Sequence, residues 1–368
     1  MATTGQEEFT LDTAAELAAE EGGSKIEGKS PWALAARRLR RNYVSLIFLG
    51  VFILVVLVCL LAPLYTSHVS HAHPNDENAG GFIHENGNKV PVISHGGTKF
   101  GKNGEVKLTA GGIPIGPQWG ASGGPYFFGA DQLGRDVGTR LLYGGRNSLQ
   151  IGLSSAAIAT ILSIILALLA AYFGGILDWI ISRFFDLIWA FPVILLGIAL
   201  GAALAINGIH LKLWLFSIKA SSGNILIPTL VISYVLIPYV GRPLRGQVLS
   251  LRQKEFIEAS ISQGAGPLRI MFTELLPNVA SSILVFFTLI IANNIVLEAA
   301  LSFLGAGVQP PRASWGTLIS DGQGLIVTRP WFAIMPGIAI VLTVLALNVF
   351  GDGLRDALDP RAKVKIEH

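Results

Sequence analysis

Tyr43-Val-Ser-Leu-Ile-Phe-Leu-Gly-Val-Phe-Ile-Leu-Val-Val-Leu-Val-Cys-Leu-Leu-Ala-Pro63 contains no charged side chain. A helix needs about 20 predominantly apolar residues to cross the hydrocarbon of a bilayer, and this run has that length. Five further runs of the same kind follow, at 149–173, 184–206, 225–240, 278–304 and 332–350. The pattern predicts an all-α membrane protein of about six transmembrane helices. Composition agrees: 51% of the 368 residues are hydrophobic and 14% are charged, where a soluble domain carries roughly 25% charge. Mean hydropathy is +0.57. The one cysteine, Cys59, lies inside the first run and can form no intrachain disulfide. The residues before that run lack the basic-then-apolar layout of a cleaved signal peptide, so the run is expected to remain as an anchor.

Charge sets the expected orientation. Arg37, Arg38, Arg40 and Arg41 directly precede the first span, and such clusters stay on the cytoplasmic side. The loops that then fall inside, 174–183, 241–277 and 351–368, carry Arg183, Arg242, Arg245, Arg252, Lys254, Arg269, Arg355, Arg361, Lys363 and Lys365. The short outer loops carry only Lys212, Lys219, Arg312 and Arg329. Both termini are therefore expected in the cytoplasm. The net charge of +3 is read as orientation rather than as a nucleic-acid footprint. The chain divides into a tail (1–42), a first span (43–63), a hydrophilic extracytoplasmic segment (64–146), a core of five spans (147–351) with an inner loop at 241–277, and a second tail (352–368). Within 64–146, alternating runs at 89–93 and 105–109 between Gly-rich turns predict small β-hairpins. Pro228 and Pro238 interrupt the fourth span. Trp189, Trp214 and Trp331 near span ends read as interface anchors.

Three patterns look chemical. Residues 23–30 match the phosphate-loop letters, yet no strand precedes them and Pro31 follows, so the context that gathers backbone N–H groups on a phosphate is missing. Residues 120–124 match G-x-S-x-G without the strand–turn–helix of a nucleophile elbow. Five of the seven histidines, His68, His71, His73, His84 and His95, share the outer segment. His71 and His73 would lie on one face of an extended strand near Asp76 and Glu77, which makes them candidate metal ligands. A solvated polar loop is the plainer reading.

The inner loop reads Arg252-Gln-Lys-Glu-Phe-Ile-Glu258-Ala259-Ser260-Ile-Ser-Gln-Gly264-Ala-Gly266-Pro267-Leu-Arg-Ile-Met-Phe-Thr-Glu274-Leu-Leu276-Pro277-Asn278. It predicts two short helices. Gly264 suits a left-handed C-terminal turn, and Pro267 the first position of the second helix. Leu268, Met271, Phe272 and Leu275 recur at helical spacing and give that helix one apolar face. Pro277 is expected to close it. An amphipathic pair in such a loop needs a partner protein or the bilayer interface to receive its apolar face.

This stretch resembles the cytoplasmic motif of integral-membrane permeases of ABC importers: E-A-A, three residues, G, nine residues, then I-x-L-P. It matches at Glu258, Ala259, Gly264, Leu276 and Pro277, and departs at Ser260 and Glu274. The resemblance runs from about Tyr126 to Arg361. Its blocks are Phe128-Gly-Ala-Asp131-Gln-Leu-Gly134-Arg135-Asp136, Arg140, Gly144-Gly-Arg146-Asn-Ser148, Glu298-Ala-Ala-Leu-Ser-Phe-Leu-Gly305, Gln309-Pro-Pro311, Ser314-Trp315-Gly316, Pro336-Gly337 and Asn348-Val-Phe-Gly351-Asp352 through Asp359-Pro360. It is similar to the second permease of dipeptide, oligopeptide and nickel systems, apart from the longer outer segment at 67–124. The resemblance implies a type I importer permease fold with a β-hairpin-rich insert. It also implies a homologous second permease, two ABC ATPase subunits that bind ATP and Mg, and an extracytoplasmic binding protein. In that setting the loop from Glu258 to Pro277 docks on an ATPase, and this chain needs no cofactor and contributes no catalytic residue.

Asp186, Asn293, Asn294, Glu298 and Asn348 lie in or near spans. Charge and amide groups are costly in hydrocarbon, so each should face a partner or a cavity. They are the candidate pathway or gate residues, with an interhelical hydrogen bond as the alternative for Glu298. A membrane-embedded hydrolase lacks its paired catalytic groups here. A self-contained channel or secondary transporter leaves the inner helix pair unexplained. A peptide is the expected cargo, with nickel complexes or another small solute as the alternative.

Overall fold

The computed structural model describes residues 31–85, 88–100, 106–109, 111–119, 125–213, 216–221 and 223–358. The phosphate-loop letters at 23–30, the Gly-rich letters at 120–124, Trp214 and the chain from 359 onward lie outside these residues. Helix α1 (Pro31–Arg41) is followed, after Asn42 alone, by the first span α2 (Tyr43–Leu60). Asn42 Oδ1 accepts the Ser45 N–H at 3.1 Å and so caps α2. A short helix α3 (Ala62–Tyr65) and a π-turn at Thr66–Ser70 lead into the polar segment. There β1 (Phe82–Glu85) pairs antiparallel with β2 (Asn88–Pro91), and β3 (Gly97–Phe100) with β4 (Val106–Thr109). These are the expected hairpins. Val92, Ile115, Tyr126 and Ala130 form a small core beneath β1–β2.

The bundle follows: α4 (Val137–Phe173), α5 (Gly175–Trp189), α6 (Val193–Asn207), α7 (Leu226–Arg252), α8 (Glu255–Ser262), α9 (Pro267–Arg269), a π-turn at Ile270–Leu275, α10 (Leu276–Phe303), α11 (Trp315–Gly322) and α12 (Trp331–Leu358). Among the described residues, α2, α4, α7, the stretch Pro267–Phe303 and α12 are each long and apolar enough to cross a membrane. The α5–α6 pair, bent by 89°, is long and apolar enough for a sixth crossing when taken as one span. α1 packs on α12, which puts both described ends of the chain on one face, called here the terminal face. The opposite face bears the hairpins.

Four expectations need correction. The third span is not a straight helix over 184–206, and 174–183 is not a loop. α5 starts directly after Gly174, and the chain breaks at 190–192. Pro192 lacks an N–H, and its ring drives the preceding residue out of helical geometry. Arg183 read as a loop charge and Asp186 as a polar residue of the span, yet with Asp178 they lie on one amphipathic helix whose Ile176, Trp179 and Ile180 are exposed. The fourth span does not stop at Val240: α7 runs through Pro238 and Pro243 to Arg252. An interior proline costs about 3 kcal/mol in an isolated helix. Here α4 supports α7 through Ser163 Oγ, which donates to Ile237 O at 2.8 Å, and through the Ser155 carbonyl, which accepts Ser233 Oγ at 3.2 Å.

The second span begins at Val137 rather than Leu149. At 1.5 Å per residue α4 is about 55 Å long, so its first turns stand clear of a hydrocarbon layer about 30 Å thick. Pro277 does not end a helix. It sits in the first turn of α10, and the preceding turn widens to π spacing, with Leu276 N–H reaching Met271 O. Proline at 277 leaves the usual acceptor four residues back without its donor, and the wider turn absorbs the ring. The sequence reading also does not anticipate the hairpin β5 (Ile209–Leu213) with β6 (Phe216–Ala220), whose alternation abuts the apolar run of α6.

The main core joins α4, α7, α10 and α11 through Ile151, Ile232, Val240, Ile290, Ile295 and Trp315. Gly145 marks one close approach: a Cβ there would lie 2.6 Å from Cys59 Sγ and 2.7 Å from the Trp315 ring. α2 and α11 therefore meet α4 where it has no side chain.

Candidate functional site

On the terminal face, α8 and α9 form the helix pair expected from the sequence. α8 ends at Gln263, and Gly264 takes φ +82°. Gly264 N–H reaches Ile261 O at 2.9 Å, and Ala265 N–H reaches Ser260 O at 3.0 Å. These two bonds satisfy carbonyls that a helix end otherwise leaves open. Gly266 is extended, and Pro267 opens α9. Glu258, Ala259, Gly264, Gly266, Pro267 and Pro277 are exposed, while Ser260 and Leu276 are half-buried.

The apolar face of the pair is split in two. Ile257, Ile270, Met271 and Leu275 are buried against Ala167, Leu168, Leu244 and Val248, at the ends of α4 and α7. Phe256, Ile261, Leu268 and Phe272 are exposed by 39%, 53%, 68% and 58%. The sequence grouped Leu268 and Phe272 with Met271 and Leu275. The widened turn at Ile270–Leu275 shifts the angular register and separates the buried set from the exposed one. One face fastens the pair to the bundle and the other is left unpartnered.

The polar residues in the spans also divide. Asn294 is buried, its amide 2.6 Å from Ser155 Oγ; with the amide oxygen toward Ser155, it also accepts Ala156 N–H at 2.9 Å and donates to Ile290 O at 2.9 Å. Glu298 is fully buried, and Ser302 Oγ donates to its Oε1 at 2.6 Å. The Ser148 and Ser314 hydroxyls also face its carboxyl group, although Oε2 closes no hydrogen bond of normal geometry. Each of these serines accepts a backbone N–H from the chain over α11: Ser302 from Val308 at 3.0 Å, Ser148 from Trp315 at 3.1 Å and Ser314 from Thr317 at 3.2 Å. Glu298 is thus tied through three serines to the 305–322 segment. Asn293 is exposed and Asn348 half-buried. Asp186 is half exposed and shared between two arginines, Arg183 at 3.1 Å and Arg242 at 2.5 Å. Arg242 also lies over the Trp189 ring, 4.4 Å from its centroid. Nearby, Arg245 binds both oxygens of Asp178 at 2.5 Å.

On the hairpin face the sequence reading overlooked Asp321, which completes a charge network. Asp131, buried, takes Arg135 at 2.6 Å and Arg140 at 3.4 Å, and Arg140 reaches on to Asp321 at 3.2 Å. Burial pushes the Asp321 carboxyl above the usual range, against the pull of Arg140 and Arg135. Burial likewise raises Asp136, although the Thr139 and Tyr126 N–H groups favour its charged form. The network walls a cleft of about 320 Å³ with Gln309, Arg312 and Ser320. His71 and His73 do not lie on an extended strand: His71 caps the π-turn at φ +50°, and His73 N–H binds Asp76 Oδ2 at 2.8 Å. Among the described residues no three His, Cys, Asp or Glu side chains converge on a metal-sized site.

Residues 163–364 match the family model described as binding-protein-dependent transport system inner membrane component. Residues 30–80 match the N-terminal TM domain of oligopeptide transport permease C. The dipeptide transport system permease protein DppC of Alkalihalophilus pseudofirmus is 37% identical over 334 residues, 91% of each chain. The glutathione transport system permease protein GsiD is 42% identical in Pectobacterium atrosepticum, over 65% of this chain and 73% of that one. The Escherichia coli GsiD is 34% identical, over 91% of this chain and 92% of its own. Among solved structures, an inward-facing MetNI methionine ABC transporter aligns with TM-score 0.47 at 18% identity, covering 60% of this chain and 96% of the other. With its crossings, the helix pair on its terminal face and relatives matched over nine-tenths of its length, the chain belongs to the binding-protein-dependent transport system inner membrane components: it is a multi-pass permease subunit of an ABC importer.

Proposed function

We propose that this permease imports short peptides, forming half of a translocation path that a homologous second permease completes. The terminal face is cytoplasmic, and the hairpin face receives substrate from an extracytoplasmic binding protein. The pair α8–α9, from Glu258 to Pro277, docks on one of two ABC ATPase subunits. Those subunits bind ATP and Mg and hydrolyse the ATP; this chain supplies no catalytic group and holds no cofactor. Of the polar candidates, Asp186 and Asn293 face the path, and Glu298, Asn294 and Asn348 serve helix packing. The dipeptide, peptide and glutathione permeases named among its relatives support the cargo class.

The observation that carries the docking assignment is the exposed set Phe256, Ile261, Leu268 and Phe272 on a helix pair whose other face is already anchored in the bundle. Burying a Leu or Phe side chain contributes about 1.5–3 kcal/mol. Replacing Leu268 and Phe272 by Asp should therefore weaken ATPase attachment by about 3–6 kcal/mol, a hundredfold or more. Co-purification of the ATPase from detergent extracts measures this, with insertion of the chain into membranes as the control. Undiminished ATPase recovery with the double variant would overturn the assignment.

A further inference from the structure

α7 is the most enclosed span, with 67% of its apolar window buried. Between Leu226 and Arg252 at its ends it exposes only Tyr234, Tyr239, Pro243, Gly246 and Ser250, the last four in one narrow line at helical spacing. The exposed faces of other spans differ in kind. On α12 they are Ile338, Val341, Leu342 and Leu345, the composition that lipid tails accept. Two tyrosines, a proline, a glycine and a serine do not make a lipid-facing stripe. The line is also open: a Cβ on Gly246 would have no atom within 4 Å.

α5 borders this line and supplies charge and aromatic rings. Phe184 meets Tyr234 with ring centroids 6.0 Å apart. Arg242 lies over Trp189 and against Asp186. Asp186 is shared with Arg183, and the three side chains are 34%, 49% and 65% exposed for Arg242, Asp186 and Arg183. Charges so placed on a membrane segment need water or a polar ligand. One carboxylate between two guanidinium groups leaves a net charge of +1, so the cluster has an unsatisfied pull on an anion.

We propose that the face formed by Phe184, Asp186, Trp189, Tyr234, Tyr239 and Arg242 is the surface on which this subunit contacts the transported molecule, and that it suits a short zwitterionic peptide with apolar or aromatic side chains. The peptide carboxylate takes the place of part of Asp186 at Arg242 or Arg183, while its ammonium group pairs with the Asp186 carboxylate. Tyr234, Tyr239 and Phe184 receive the side chains through contacts that tolerate many shapes. Exchange between an internal ion pair and a zwitterion conserves charge at every stage, so no step strands a lone charge in the membrane. The inference rests on the reading of the protein as a peptide permease.

The test uses the complete importer, with binding protein, both permeases and ATPases, in proteoliposomes. Uptake of a dipeptide by the unmodified complex comes first, and its absence would overturn the peptide reading together with this surface. In a Cys59→Ser background, Tyr239→Cys and Gly246→Cys are each compared with Leu345→Cys for labelling by a membrane-impermeant cationic thiol reagent. Both path positions should react about tenfold faster than the lipid-facing one, because the thiolate is the reactive form and needs water, and saturating dipeptide should slow them. Ser250→Cys replaces either variant that does not assemble. With the binding protein saturated, Arg242→Gln should lower the maximal uptake rate about tenfold, the loss expected with one charge-assisted hydrogen bond, and Arg242→Lys should recover most of it. Normal uptake with labelling no faster than at Leu345→Cys, or no protection by dipeptide, overturns the surface and leaves peptide import standing. So does full activity of Arg242→Gln.

Discussion

Replacing Gly264 by valine should separate ATP hydrolysis from transport while leaving membrane insertion intact. At φ +82° the residue is in the left-handed region, and a Cβ there would meet nothing within 4 Å. Packing therefore predicts no penalty, and backbone strain carries the whole effect. A residue with a Cβ loses about 1–2 kcal/mol in this region, and a β-branched one stands at the upper end. If the turn opens to relieve the strain, the bonds from Gly264 N–H to Ile261 O and from Ala265 N–H to Ser260 O are lost, at about 1 kcal/mol each. Either route costs about 2 kcal/mol, which reduces the population of the docking geometry about thirtyfold. Uptake per ATP hydrolysed, measured in proteoliposomes, should fall in the order Gly264, Gly264→Asn, Gly264→Ala, Gly264→Val, because asparagine tolerates left-handed geometry best among the substitutes. Wild-type coupling in Gly264→Val would refute the reasoning. An asparagine variant as impaired as valine would show that something other than backbone strain is at work.

Glu298→Ala removes the carboxyl group around which Ser148, Ser302 and Ser314 are arranged. It should cost about 2–4 kcal/mol, seen as a lower Tm of the solubilised complex and faster proteolysis within 305–322; unchanged cleavage would count against the anchoring role. Replacing residues 67–124 by a short Gly-Ser linker removes both hairpins with Val92 and Ile115 beneath them, and takes the Pro114 carbonyl from Arg329. Substrate delivery by the binding protein should weaken while the ATPases still assemble, and unaltered uptake would make the segment dispensable. Deleting residues 1–29, phosphate-loop letters included, should leave the ATPase activity of the assembled complex at its original level. Loss of nucleotide binding on that deletion would assign those letters a function after all.

Much of this protein was legible from local signals. Apolar runs longer than a bilayer is thick admit few alternatives to a crossing helix. The left-handed turn at Gly264 and the helix start at Pro267 follow from backbone sterics that neighbours hardly alter. The hairpins at β1–β2 and β3–β4 follow from alternation between turns. The α5–α6 break was not recovered because the loop was carried as far as Arg183, although Asp178, Arg183 and Asp186 lie on one helix. Pro238 misled for a related reason: its cost in an isolated helix is real, and α4 offsets it.

What the sequence by itself determined was therefore the number and kind of crossings, the hairpins, and the position and turns of the inner helix pair. Each depends on residues adjacent along the chain, where propensity, periodicity and length act without a partner. The tertiary structure decided which face of each element is left over. Leu268 and Met271 carry the same local signal, yet one is 68% exposed and the other 3%, because a widened turn rotates them apart and only one side meets α4 and α7. Glu298 and Asp186 were both candidates for a path, Glu298 the foremost, yet Glu298 is enclosed by three serines and Asp186 is held half exposed by two arginines. Partners 150 residues away in the chain settle such questions (Glu298 and Ser148 among them), and packing geometry, unlike periodicity, is not a property of any local window.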